Sequence, residues 1–341
     1  MRPTGLRRVP TPVWGGLLGV SLVASITFAI TFGPAEITAH DVWLSVLHHL
    51  GLGASPLSPL RDGIVWQLRM PRVLTAAAVG AGLAIAGAVM QALTRNSLAD
   101  PYLLGLSSGA SLGAVSVLLL GVGVLLPAAA FLGALVALVL TLLIASAGGG
   151  LTPSRTVLAG VAVSSLGAAL TSFIIFWTAT GDSYREILNW LLGSLAGADW
   201  AAVAISVGAL AVVGLPIIVA GRSLDAFAFG DTSAAALGIS VSRTRWLLLV
   251  GTALLTGAMV SVSGSIGFVG LVLPHAVRLV VGSRHRILLP LSALLGAIFL
   301  IWSDTIARTL FDPRELPVGI ITAVIGGPLF VLLLTRKSTR V

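Results

Sequence analysis

The chain has 341 residues, of which 57% are hydrophobic and 9% charged, with a formal net charge of +8 and a mean hydropathy of +1.05. A soluble domain carries about 25% charged residues, so a soluble or disordered chain is excluded. Apolar runs of roughly 20 residues, the length that crosses a bilayer, recur throughout, whereas a membrane β-barrel shows alternating segments of about ten. The 40 glycines suit close helix–helix approach in lipid. The expected class is an all-α, polytopic membrane protein.

The positive balance does not imply nucleic acid, because neither interleaved aromatics nor a basic helix accompany it. Membrane proteins concentrate Arg and Lys in their cytoplasmic segments. The absence of cysteine removes disulfide and thiol chemistry.

Arg2, Arg7 and Arg8 precede a first apolar run, Val13 to Phe32. Its length and the lack of a small-residue cleavage site favour an anchor over a signal peptide. Gly33 to Gln67 reads as an external loop with a short helix near Asp41 to Leu50. Its His40, His48 and His49 have no carboxylate ladder and read as surface histidines rather than a metal site. Span two runs from Leu68 to Leu93. An inner turn, Thr94 to Asp100, leads to span three, Pro101 to Gly121. An outer turn near Gly123 precedes span four, Leu125 to Ala147, and Gly148 to Arg155 forms an inner loop before span five, Thr156 to Thr178. Gly181 to Gly197, with Asp182, Arg185, Glu186 and Trp190, reads as an interfacial helix.

Span six covers Trp200 to Ala220. The polar stretch Gly221 to Arg245 then interrupts the pattern, with Gly230 and Gly238 as breaks between two short helical pieces. Span seven is Trp246 to Ser263. Span eight, Ile266 to Val281, carries Pro274, His275 and Arg278. Gly282 to Arg286 turns inside, span nine is Ile287 to Ala307, Phe311 to Glu315 turns outside, and span ten is Leu316 to Leu334. Ten spans place both termini on one side. With the termini cytoplasmic, 14 of the 20 basic residues are inside; the outer six are Arg61, Arg69, Arg72, Arg185, Arg308 and Arg314.

No G-x4-G-K-[ST] phosphate loop is present, and the single lysine is Lys337. No catalytic Ser/His/Asp constellation is credible, so the chain is not expected to be an enzyme. An ion-coupled secondary transporter is the rival class, but such proteins carry buried carboxylates on their pathway. Here Asp304 is the one acidic residue well inside a predicted span, with Arg308 a turn away. A sensor or scaffold would need a soluble signalling domain, and neither tail is long enough for one.

Several blocks in fixed order carry a resemblance. They are Arg69-Met-Pro-Arg72, then Gln91-x4-Asn96-Ser-Leu98-Ala-Asp100-Pro101, then Leu104-Gly105-x-Ser107-Ser108-Gly109-Ala110. In the second half come Gly264-Ser-Ile-Gly267-Phe-Val-Gly270-Leu-Val-Leu-Pro274-His275-x2-Arg278, Asp304-x3-Arg308, Glu315-Leu-Pro317-Val-Gly319-Ile-Ile-Thr322 and Gly326-Gly-Pro328. From about residue 14 to 335 the chain resembles the FecCD-type permeases of ATP-binding-cassette importers for iron–siderophores, haem and cobalamin. Ser97 departs from the proline usual in that family, which restores a backbone N–H and loosens φ.

The resemblance implies one BtuC-like permease domain over residues 1–341, working as a dimer with a second copy of itself or with a close paralogue. Its partners would be two cytoplasmic ATPase subunits, which bind ATP–Mg, and an extracytoplasmic substrate-binding protein. The chain itself would bind no cofactor, and its location would be the bacterial inner membrane. Arg69, Arg72 and Arg308 match positions that meet carboxylates of the binding protein, a role that suits the guanidinium fork. The rival for these arginines is an interfacial anchor or, for Arg308, an i,i+4 pair with Asp304. Residues 221–245 match the segment that couples to the ATPase, with Asp225, Gly230, Asp231 and Gly238 as contact or hinge positions. Asn96 and Leu98 match an inner gate; the rival is a plain turn in which Asn96 caps span three. His275 is read as a structural hydrogen-bonding residue. For substrate, family frequency ranks an iron(III)–siderophore first, haem second and cobalamin third.

Overall fold

The computed structural model describes residues 11–53, 57–121, 125–147, 152–181, 183–227 and 230–335. The basic N-terminal stretch with Arg2, Arg7 and Arg8, the turn at Gly123, residues 148–151, Asp182 and the tail residues Arg336, Lys337 and Arg340 lie outside them. The described chain is helical throughout: α1 (Thr11–Thr31), α2 (Ala39–His49), α3 (Pro59–Thr94), α4 (Leu106–Leu120), α5 (Leu126–Ser146), α6 (Pro153–Thr178), α7 (Ser183–Leu191), α8 (Trp200–Val219), α9 (Gly221–Phe227), α10 (Asp231–Ala236), α11 (Val241–Ser263), α12 (Val269–Val281), α13 (His285–Thr309) and α14 (Val318–Thr335). Seven of these are long and apolar enough to cross a bilayer: α1, α3, α5, α6, α8, α11 and α13. The shorter apolar helices α4, α12 and α14 bring the described set to the ten anticipated spans.

The centre is α3. Of its most apolar window, 89% is buried, against 28% for α6 and for α8. It packs on α1, α8, α11, α12 and α13. Small side chains make this position possible. A Cβ on Gly80 would strike the Gly296 carbonyl of α13, and one on Gly87 would strike the Gly270 backbone of α12. A second close crossing joins α4 to α5 through Gly109 and Gly133, each lying against the other's carbonyl. Without a hydrophobic drive between helices in lipid, such approaches supply dispersion contact along the full helix surface.

Several boundaries differ from expectation. Span two begins at Pro59, because residues 59–63 form a helical turn behind the Ser58 cap and residues 64–69 continue as a π-turn directly into the run Met70–Thr94 of α3. Span seven begins five residues early, at Val241, so Arg243 and Arg245 belong to a helix. Spans three and eight are shortened by non-helical entries. Pro101–Leu104 is a 3-10 turn, and residues 264–268 are irregular. These two breaks satisfy each other: the Tyr102 hydroxyl donates to the Ile266 carbonyl at 3.0 Å and accepts from the Ile266 amide at 3.1 Å. Ser107 also meets Ser265 side chain to side chain. Irregular backbone inside a bundle needs such partners, because lipid offers none.

The loop between spans one and two contains the expected short helix. Thr38 caps α2, and Asp41 returns the bond to the Thr38 amide and hydroxyl, a reciprocal capping box. The Thr38 amide, then its hydroxyl, hold the Asp41 carboxyl below the usual carboxylate range. His49 pairs with Asp62 at 2.9 Å and stacks on Trp66 at 4.1 Å, while His48 meets the Gly53 carbonyl. Both histidines thus serve the packing of this loop.

Candidate docking, gate and coupling sites

At one end of the bundle Arg69, Arg72 and Arg308 converge with Asp304 and Glu315. Arg72, in the first half of α3, faces Asp304 on α13, across 232 positions of sequence. Its Nε lies 2.9 Å from Asp304 Oδ2 and its Nη2 lies 2.9 Å from Oδ1, a two-pronged fork. Its Nη1 reaches Glu315 Oε2 at 2.8 Å. Arg308 Nε stands 3.8 Å from Asp304 Oδ2, so the i,i+4 pair read from the sequence is present as a longer contact. Asp304, 2% exposed, thereby sits between two guanidinium groups. A buried carboxylate is tolerated only when paired in this manner.

The other hydrogen bonds of these arginines end α1. A helix leaves its last carbonyls without intrahelical donors. Arg69 donates to the carbonyls of Ile30 at 2.8 Å, Thr31 at 3.3 Å and Ala35 at 3.1 Å. Arg308 donates to the carbonyls of Phe32 and Ala29. Two cations at a helix C-terminus also complement its dipole. The expectation placed all three arginines at a surface that meets a partner. The structure gives Arg69 and Arg308 to the end of α1 and Arg72 to Asp304 and Glu315, with Arg69 8% exposed and the Arg72 side chain 12% exposed.

At the opposite end, Thr94 closes α3 and Arg95 takes a left-handed conformation, φ 51°. The Asn96 side chain accepts from the Leu98 amide at 3.0 Å, and the Ala99 amide bonds the Asn96 carbonyl at 3.1 Å. Asn96 therefore shapes the turn between the two spans. The cap of the following helical turn is Asp100, which accepts from the Tyr102 amide at 2.9 Å, so the sequence reading that gave this cap to Asn96 is corrected. The turn forms with Ser97 in place of proline, because the Asn96 bonds close it. Leu98 is 41% exposed, an apolar side chain presented at the end of the bundle.

The polar stretch after span six folds as the two short helices anticipated, α9 and α10. Gly230 (φ 96°) and Gly238 (φ 80°) stand at the breaks in conformations that favour glycine. Asp225 fastens α9 to the start of α13: its Oδ1 accepts from the His285 backbone amide at 2.7 Å and meets His285 Nδ1 at 2.8 Å. Asp231, first residue of α10, bonds Arg245 of α11 at 2.7 Å and lies 3.9 Å from Arg95. The turn after α3 and the segment 221–245 thus meet at one carboxylate. Sequence reasoning named Asp225 and Asp231 but missed their three basic partners, His285, Arg95 and Arg245. Their pairing depends on how helices distant in sequence pack. His275 is buried on α12 at 6% exposure and is not without a partner.

An all-helical bundle of ten apolar helices, its charges gathered at the two ends, defines a multi-pass membrane permease. The FecCD transport family profile matches residues 21–336, and the chain belongs to that family. It is 42% identical to the ABC transporter permease YvrB of Bacillus subtilis, over 94% of this chain and 93% of that one. It is 39% identical to the cobalamin import permease BtuC of Halobacterium salinarum over the whole of both chains. To the vitamin B12 import permease BtuC of Vibrio cholerae it is 42% identical, over 87% of this chain and 88% of that one. Among solved structures, an inward-facing transporter of the metal-chelate ABC type superposes with a TM-score of 0.83 at 29% identity, covering 95% of this chain and 99% of that one. The chain is therefore a permease subunit of an ABC importer.

Proposed function

We propose that two copies of this chain form the membrane pathway of an importer for a bulky metal chelate, with cobalamin as first candidate. This moves cobalamin ahead of the order drawn from family frequency, because two of the similar relatives named above are cobalamin or vitamin B12 permeases. An iron(III)–siderophore is the second reading. The arginine end faces outward and meets a loaded binding protein, and the Asp231 end faces the cytoplasm and two ATPase subunits. Both termini are cytoplasmic in this orientation.

The observation that carries the mechanism is that α3 joins the two ends. Arg72 lies in its first half, its last turn runs into the gate turn at Asn96 and Leu98, and Arg95 beside that turn approaches Asp231 of the coupling segment. In this account α9 and α10 seat on the ATPase, with Gly230 and Gly238 as hinges. ATP binding by the partner moves the segment, and Asp225 and Asp231 convey the motion to α13, α11 and the gate turn. The bundle offers apolar helix surfaces and few polar groups along its length, so a large chelate passes without a tight resting site.

The test is uptake into proteoliposomes holding this permease with its ATPase and binding protein. Labelled cyanocobalamin is expected to accumulate with ATP and to stimulate its hydrolysis. Accumulation of a ferric siderophore with no response to cyanocobalamin would replace the first substrate by the second.

A further inference from the structure

Arg72 presents its two edges to carboxylates of very different exposure. Asp304, held on the Nε and Nη2 edge, is 2% exposed, while Glu315, on Nη1, is 44% exposed. Asp304 cannot leave without stranding two buried cations. Glu315 sits on the link between α13 and α14 and exchanges its bond only for water. Three arginines against two carboxylates leave this cluster with one excess positive charge.

We propose that Glu315 fills the place of a partner's carboxylate: an acidic side chain of the binding protein takes the Nη1 edge of Arg72 and displaces Glu315 into solvent. The proposal rests on the docking reading above, and it names the bond that docking breaks. One charge-assisted bond replaces another, so this pair adds little affinity of its own. Its consequence is conformational. Glu315 precedes Leu316, whose amide bonds the Ala307 carbonyl, and α14 begins at Val318. Release of Glu315 frees the lead-in to the last span at the moment of docking.

The experiment measures association of the extracytoplasmic binding protein, recovered with the native complex and purified separately, with the permease–ATPase complex in nanodiscs. Glu315→Gln removes the competing charge and raises the excess of the cluster by one. Binding is expected to tighten about three- to tenfold, mainly through faster association, with a steeper loss on added salt. Glu315→Asp, which keeps the charge, is expected to stay near wild type. Arg72→Glu separates the two claims. If that variant docks like wild type, the docking reading itself fails. If it loses docking while Glu315→Gln binds no more tightly than wild type, the exchange alone is overturned. Intact assembly of each variant is checked by size-exclusion chromatography.

Discussion

Arg69 and Arg308 show how one residue type can serve two ends. Both lie among the six basic residues on the less basic side of the bundle, and both hold the carbonyls that close α1. A hydrogen bond from a charged donor contributes about 1.5–3 kcal/mol. Arg69→Ala removes three such bonds and leaves carbonyls of Ile30, Thr31 and Ala35 without this donor. Water that reaches the freed carbonyls at the helix end offsets part of that sum, so stability is expected to fall by about 2–4 kcal/mol, read as a reduced unfolding temperature in detergent. Arg69→Lys, lacking the fork, is expected to recover part of the loss; an Arg69→Ala protein as stable as wild type would contradict the capping role. The sequence made the Asp304–Arg308 pair legible, because their spacing places both on one helix face. The α1 caps were not legible, since their partners are backbone carbonyls more than a loop away and carry no side-chain signature. Arg72–Asp304 had a weak signal: a cation near the start of a span needs a counterion, and Asp304 was the one carboxylate well inside a predicted span.

Among elements, α3 sets the packing. The Gly- and Ala-rich run predicted close approach, and the structure names the partners: Gly296 for Gly80 and Gly270 for Gly87. Gly80→Leu must separate α3 from α13, and overpacking of this kind costs typically 1–3 kcal/mol or more. Gly208→Ala on α8, where a Cβ meets nothing within 4 Å, is expected to be neutral. Thermal unfolding of the two variants in parallel checks the contrast, and equal stability would refute the crossing. The number and order of spans were readable from apolar length alone, because that length is imposed by the bilayer. The non-helical breaks at Pro101–Leu104 and residues 264–268 were not. Their stability comes from Tyr102 and from the Ser107–Ser265 contact, which only the packed bundle creates. The two short helices α9 and α10 were readable, because Gly230 and Gly238 punctuate them.

At the scale of the whole molecule, poorly buried long helices show large apolar side chains outward: Phe176 on α6 is 83% exposed, and Val219 on α8 is 80% exposed. These surfaces meet lipid or a second copy. The charged groups lie toward the two ends, several of them buried there in ion pairs, and α3 connects one end to the other. The central claim is that this chain works as half of a permease pair driven by separate ATPase subunits. Native mass measurement of the complex, drawn gently in detergent from its own membrane, tests it most directly. The account predicts two copies of this chain with two ATPase subunits. Repeated recovery of the chain without any ATPase, in a preparation that still performs ion-driven uptake, would contradict it and establish a secondary transporter instead.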